Sequence, residues 1–117
     1  MKRRIVFYKN YFIEFYQKQD EKVKGKIQYV FELIRQVEQV PEKFLKHLTG
    51  TNGLYEIRIK YKSNIYRVFC CFDEGQLVVL FHGFQKKTQK TPQNEIDKAK
   101  SLMEEYFNNK ENSNGKV

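Results

Sequence analysis

The sequence predicts an α+β fold: a small antiparallel sheet in β-α-α-β-β-β-α order, with a helix pair on one face and an open basic face. Three observations carry this. Apolar residues recur at three- and four-residue intervals between residues 11 and 37, mark strands between residues 54 and 84, and return to helical spacing after residue 92. That order favours helices laid on an antiparallel sheet. With 117 residues the chain has the length of one domain, assigned to residues 1–109, and "KENSNGKV" at 110–117 is expected to form a disordered tail.

"RIVFY" at residues 4–8 reads as a short strand, after which Asn10 is placed to cap a helix carrying Phe12, Phe15 and Tyr16. Asp20 caps a longer helix, whose stripe is Val23, Ile27, Val30, Phe31, Ile34 and Val37 before Pro41 stops it. "PEKFLKHLTGTNGLYE" reads as a part-helical connector holding Phe44, Leu45 and Leu48, with Gly50 and Gly53 suited to a turn. Three strands follow, at 54–61, 65–72 and 76–84, joined by "KSN" and "DEG" as tight hairpins. Thr91 is then an N-cap with Pro92 in the first helical position, and Ile96, Ala99, Met103, Tyr106 and Phe107 line the terminal helix.

Lys and Arg number 22 against 14 Asp and Glu, a net charge of +8, which favours an anionic partner. The apolar runs are too short to span a bilayer, so no membrane partner is expected. The N-terminus carries basic residues but no long apolar region, which points to a cytoplasmic protein. Cys70 and Cys71, adjacent in a strand, point to opposite faces and read as apolar packing residues.

A two-residue turn at Ser63 and Asn64 would set Lys60 opposite Arg67, Ile59 opposite Val68 and Glu56 opposite Cys71. A similar turn at Glu74 and Gly75 would bring His82 opposite Arg67, with Phe84 and Lys86 further along that face. A three-residue "DEG" loop would instead flip the last strand. Tyr55, Ile57, Ile59, Tyr61, Val68 and Cys70 form the apolar side facing the helix pair. Directly opposed like charges cost up to about 1 kcal/mol, which binding of phosphate would offset.

RNA supplies its own nucleophile, the 2′-hydroxyl, so its cleavage needs a base, an acid and cations for the phosphoryl oxygens. Glu56 is a candidate base, and Lys60 is its rival because a neighbouring Arg67 disfavours the charged ammonium. Arg67 suits bidentate phosphate contact, and His82 or Lys86 is the candidate acid. His47 reads as a surface residue. The sequence holds no Gly-rich phosphate loop, His and Cys cluster for zinc, or Ser elbow, so no cofactor or metal is expected. A paired aromatic signature of an RNA-recognition module is also missing beside the cations.

Residues 48–100 resemble the phage-derived, HigB-like branch of the RelE/ParE toxin superfamily, through "GLYEIR", "YRVF" and "HGFQKKTQKTP" followed by Glu95. The resemblance implies a RelE-like fold and the toxin of a type II toxin-antitoxin pair, an endoribonuclease that cuts mRNA on the ribosome without metal. It also implies a cognate antitoxin, in this branch often a helix-turn-helix DNA-binding protein. By the same likeness Arg67 matches an arginine that contacts the scissile phosphate, Glu56 and Arg58 line the cleft, and Lys86 and Lys87 match basic residues after the last strand. Arg58, Lys87 and Lys90 are the expected phosphate-binding residues. Several relatives end with a catalytic Tyr or His, whereas this chain ends in a helix with Tyr106, so the acid is not assigned by resemblance. Two other functions share these features: ParE-like binding of gyrase, and RNA binding without toxicity.

Overall fold

The computed structural model describes residues 2–114, with side-chain environments through residue 110. The elements run β1 (Arg4–Phe7), α1 (Tyr11–Gln17), α2 (Glu21–Gln36), β2 (Leu45–His47), β3 (Tyr55–Tyr61), β4 (Asn64–Asp73), β5 (Leu77–Lys86) and α3 (Gln93–Asn114). They build a five-stranded sheet in the order β1-β5-β4-β3-β2, antiparallel except where β1 joins β5. This is the expected α+β arrangement with one strand more. The connector read as part helical makes a single turn after Pro41 and then becomes the edge strand β2. Its Leu45 joins the core while Lys46 sits opposite Glu56. The terminal helix continues to Asn114, past the expected tail boundary at residue 110, and residues 115–117 lie outside the described residues.

Helices α1 and α2 cover one sheet face. Asp20 caps α2 by accepting from the Val23 N–H at 2.9 Å, while Arg3 donates to the carbonyls of Ile34, Val37 and Glu38 at the other end. An arginine there satisfies orphan acceptors and complements the negative end of the helix dipole. The stripe of Val23, Ile27, Val30, Phe31 and Ile34 is buried against Ile57, Ile59, Val68 and Cys70, with Tyr55 and Tyr61 packed at the margin. Close approach of α1 to β5 depends on Gly83: a Cβ there would fall 2.7 Å from the Phe15 ring.

The opposite face is less open than expected. Ala99, Leu102 and Met103 of α3 bury Leu54, Phe69, Cys71, Val79 and Phe81 in a second core. The end of the face toward the hairpin joining β3 and β4 lies beyond α3, although Glu56 and Arg67 there are buried. Burial pushes the Cys71 thiol up to about 12, in keeping with packing residues rather than reactive ones.

Both hairpin registers differ from the expectation. The first turns through Lys62 and Ser63, with Lys62 at φ 56°, and Asn64 joins β4 opposite Tyr61. Arg58, not Lys60, therefore faces Arg67, while Lys60 pairs with Ile65 and Glu56 with Phe69. A slip of two leaves every side chain on its expected face, because strand side chains repeat every two residues. The second hairpin uses the three-residue loop of Glu74, Gly75 and Gln76, with positive φ at the first two. A bulge then restores the face: Val68 pairs with Gly83 and Cys70 with Leu80, so Phe69 lies opposite both Phe81 and His82. Arg67 consequently faces Phe84 rather than His82.

Candidate functional site

Adjacent rows of the face beyond α3 hold the charges. Lys46 and Glu56 pair across β2 and β3, and Arg58 and Arg67 pair across β3 and β4. The two opposed guanidiniums share the Glu56 carboxylate, whose Oε2 lies 3.1 Å from Arg58 Nε and 3.5 Å from Arg67 Nε. Oε1 accepts a hydrogen bond from the Thr91 hydroxyl at 3.0 Å. Both carboxylate oxygens are thus engaged, and Glu56 is 2% exposed. This answers how the sheet tolerates two arginines face to face: the repulsion is offset by one buried anion between them.

The offset is incomplete. Arg67 Nη1 donates to the Tyr66 carbonyl at 3.2 Å, but its buried Nε–H has no aligned acceptor among the described residues. Burial disfavours the Arg67 charge, Glu56 supports it and Arg58 opposes it. Lys86, on the same face and opposite Ile65, feels a similar field. Its ammonium is held below the ordinary lysine range by burial and by Arg67, with Arg58 and Lys46 acting the same way against the pull of Glu56. Beside it runs a surface groove of about 700 Å³, lined by Ser63, Asn64, Gln85, Lys86, Lys87 and Thr88.

The structure brings together Glu56, Arg58, Arg67 and Lys86 from the sequence-derived set. Lys60 is exposed at the end of β3, with Ile65 where Arg67 was expected. Lys87 lines the groove, and Lys90 lies exposed in the segment before α3, where its carbonyl accepts from Thr88 Oγ1 at 2.7 Å. His82 is 4% exposed, packs on Phe69 with ring centroids 5.0 Å apart, and has Nε2 2.9 Å from Glu95 Oε1. Burial lowers its tendency to protonate, Glu95 works against that, and Lys98 adds to it. The ring ties β5 to α3 and is buried between them. His47 is exposed on β2, 5.1 Å from the Tyr55 ring.

Two members of the cluster escaped the sequence reading. Lys46 is hidden by the helical reading of its segment, because a three-residue edge strand is too short to show an alternation. Thr91 was read as a helix cap. The first carbonyl to accept from α3 is that of Pro92, just before the helix, which takes the Glu95 and Ile96 N–H groups, and the Thr91 hydroxyl goes to Glu56.

Comparison with known proteins gives a consistent frame. The fold is similar to that of RelE–RelB from Pyrococcus horikoshii OT3, with 17% identity over 78% of this chain and 100% of that chain, and a TM-score of 0.55. RelB–RelE, an antitoxin–toxin complex from Methanococcus jannaschii, matches at 15% identity over 74% of this chain and 99% of that one, with a TM-score of 0.52. No curated protein matches in sequence. Residues 14–104 match the family model described as phage derived protein Gp49-like, and that stretch holds the whole cluster. The chain is a member of the Gp49-like family of phage-derived proteins, and its fold is shared with the two RelE structures.

Proposed function

We propose that this protein is the toxin of a type II toxin-antitoxin pair and acts as a ribosome-dependent mRNA endoribonuclease. The observation that carries the reading is the surplus of cations around one saturated carboxylate, with the buried Arg67 Nε–H lacking an aligned acceptor among the described residues. Such a site gains by taking in an anion with several acceptor oxygens, as a phosphodiester offers.

Arg67 contacts the scissile phosphate, and Arg58 shares the charge that builds on its oxygens as the 2′-hydroxyl attacks phosphorus and the 5′-oxygen departs. Glu56, buried and doubly engaged, acts as the anchor of both arginines. Lys86 acts as the acid that protonates the departing 5′-oxygen, because its neighbours already weaken its hold on the proton, while the 2′-hydroxyl proton passes to solvent water. Lys87 and Lys90 meet flanking phosphates, and Lys60 stands outside the cluster. The proposed setting is the cytoplasm, where ribosomes and mRNA are. The proposed partner is an antitoxin, with a helix-turn-helix DNA-binding domain and an acidic segment drawn to a chain of net charge +8.

Controlled induction followed by primer extension on abundant messages tests this. New cuts within codons, lost in Arg67→Ala, are the expected result. Growth arrest with intact message and a DNA-damage response would replace it with gyrase binding, and harmless expression would leave only an RNA-binding domain.

A further inference from the structure

We propose that Thr91 is a positioning residue of this site, holding the Glu56 carboxylate so that it spans Arg58 and Arg67 rather than closing on one of them. The inference rests on the endoribonuclease reading and adds a residue outside the charged set.

Glu56 and Arg58 lie two apart on β3 and point to the same face, so they can pair locally whatever β4 does. Arg67 comes from the neighbouring strand and holds the longer contact, 3.5 Å against 3.1 Å. The terminal torsion of a glutamate is soft. Released from Thr91, Oε1 is free to swing toward Arg58 and form a forked pair at the expense of Arg67. The Thr91 hydroxyl, 3.0 Å away, fixes Oε1 and leaves Oε2 between the two Nε atoms.

Thr91 is available for this because the chain does not use it as a cap. A residue before proline is steered to extended backbone, which separates Thr91 from the helix that follows. Its segment is fixed at both ends: β5 ends in the sheet at Lys86, and Glu95 in the first turn of α3 meets buried His82 at 2.9 Å. The docking of α3 on the sheet thereby sets where the Thr91 hydroxyl stands, and the hydroxyl sets the arginine pair.

Thr91→Val removes the hydroxyl at nearly constant shape, and Thr91→Ser keeps it. Both are measured for kcat and KM on mRNA bound to programmed ribosomes, and for the Arg58 and Arg67 Nε–H resonances in ¹⁵N-labelled protein. T91V is expected to lower kcat about tenfold, the effect of losing one hydrogen bond to a charged group, with KM changed less than about twofold. Its Arg67 Nε–H signal moves, while T91S stays close to the parent in both measurements. Thr91→Ala gives the same comparison should T91V fail to fold. Unchanged kcat and unchanged arginine signals in T91V would overturn the proposal, as would T91S being impaired as severely as T91V. If the parent protein cuts no message, the nuclease reading falls, and the resonances alone decide whether Thr91 sets the guanidiniums.

Discussion

Two buried carboxylates sit at separate places beside the same sheet, and their surroundings differ in one respect. Asp73, at the end of β4, accepts from Lys110 Nζ at 2.8 Å on both oxygens and from the Tyr106 hydroxyl at 2.6 Å, and Glu74 takes the same ammonium at 2.9 Å. Two carboxylates share one ammonium there, and its three donors are used up. Around Glu56 the balance is reversed: among the described residues Arg58, Arg67, Lys46 and Lys86 gather about one carboxylate, and the Arg67 Nε–H lacks an aligned acceptor. A neutralised cluster works as a clamp, here fastening α3. Excess charge of one sign, held in place by burial, is a standing attraction for a ligand of the other sign.

The comparison breaks most sharply at Arg67. Arg67→Ala is expected to lower RNA cleavage roughly a hundredfold to a thousandfold, the usual loss for one donor to a transition-state oxyanion. Thermal unfolding should change little, because Glu56 keeps Arg58 and Thr91 and the opposed guanidiniums no longer repel. A large fall in melting temperature would make Arg67 a structural residue like Lys110. Next, Lys86→Gln is expected to cost about a hundredfold in cleavage and to leave stability unchanged or raised, since burial and its cationic neighbours disfavour its charge.

Asp73→Asn should act the other way, lowering the melting temperature by several degrees with kcat per folded molecule preserved. Burial alone would raise the Asp73 carboxyl, but Lys110 and Tyr106 hold it below its ordinary range. Its contribution is therefore complete above about pH 4, the unfolded value, and fades as pH falls through the lower folded value. Urea titrations from pH 7 to pH 3 should show the gap between parent and variant closing at the acid end. A gap that persisted there would mean the acid is held by packing.

A smaller effect is expected at His82. Its folded value lies below that of the free side chain, so its stability contribution is present above about pH 6.5 and is lost as pH falls through the folded value. His82→Gln should flatten that part of the stability profile. Smallest of all, Lys60→Ala should change cleavage less than about twofold, as for an exposed cation away from the cluster. A large loss would restore it to the site.

Much of the fold was legible. The stripe from Val23 to Ile34 and the alternation around Ile57, Ile59 and Val68 assign those residues to one core, because helix and strand periods reveal which side chains share a face. The charged face was legible for the same reason, and the two-residue slip in the first hairpin left it intact. Partner identity was not: where the chain turns decided that Arg67 meets Arg58 instead of Lys60. The loop of Glu74, Gly75 and Gln76 alone would have turned His82 to the other face, and the bulge opposite Phe69 returned it.

The sequence by itself determined the elements, the faces and the excess of positive charge, all of which follow from local periodicity and composition. Tertiary structure decided that α3 covers the apolar part of the face that also carries the cations, that Lys46 joins it from an edge strand, and that Thr91 turns from capping a helix to holding Glu56. Those outcomes depend on contacts between residues tens of positions apart, set by hairpin register and helix docking. No local pattern encodes them, because the same residues satisfy the same periodicities in several registers.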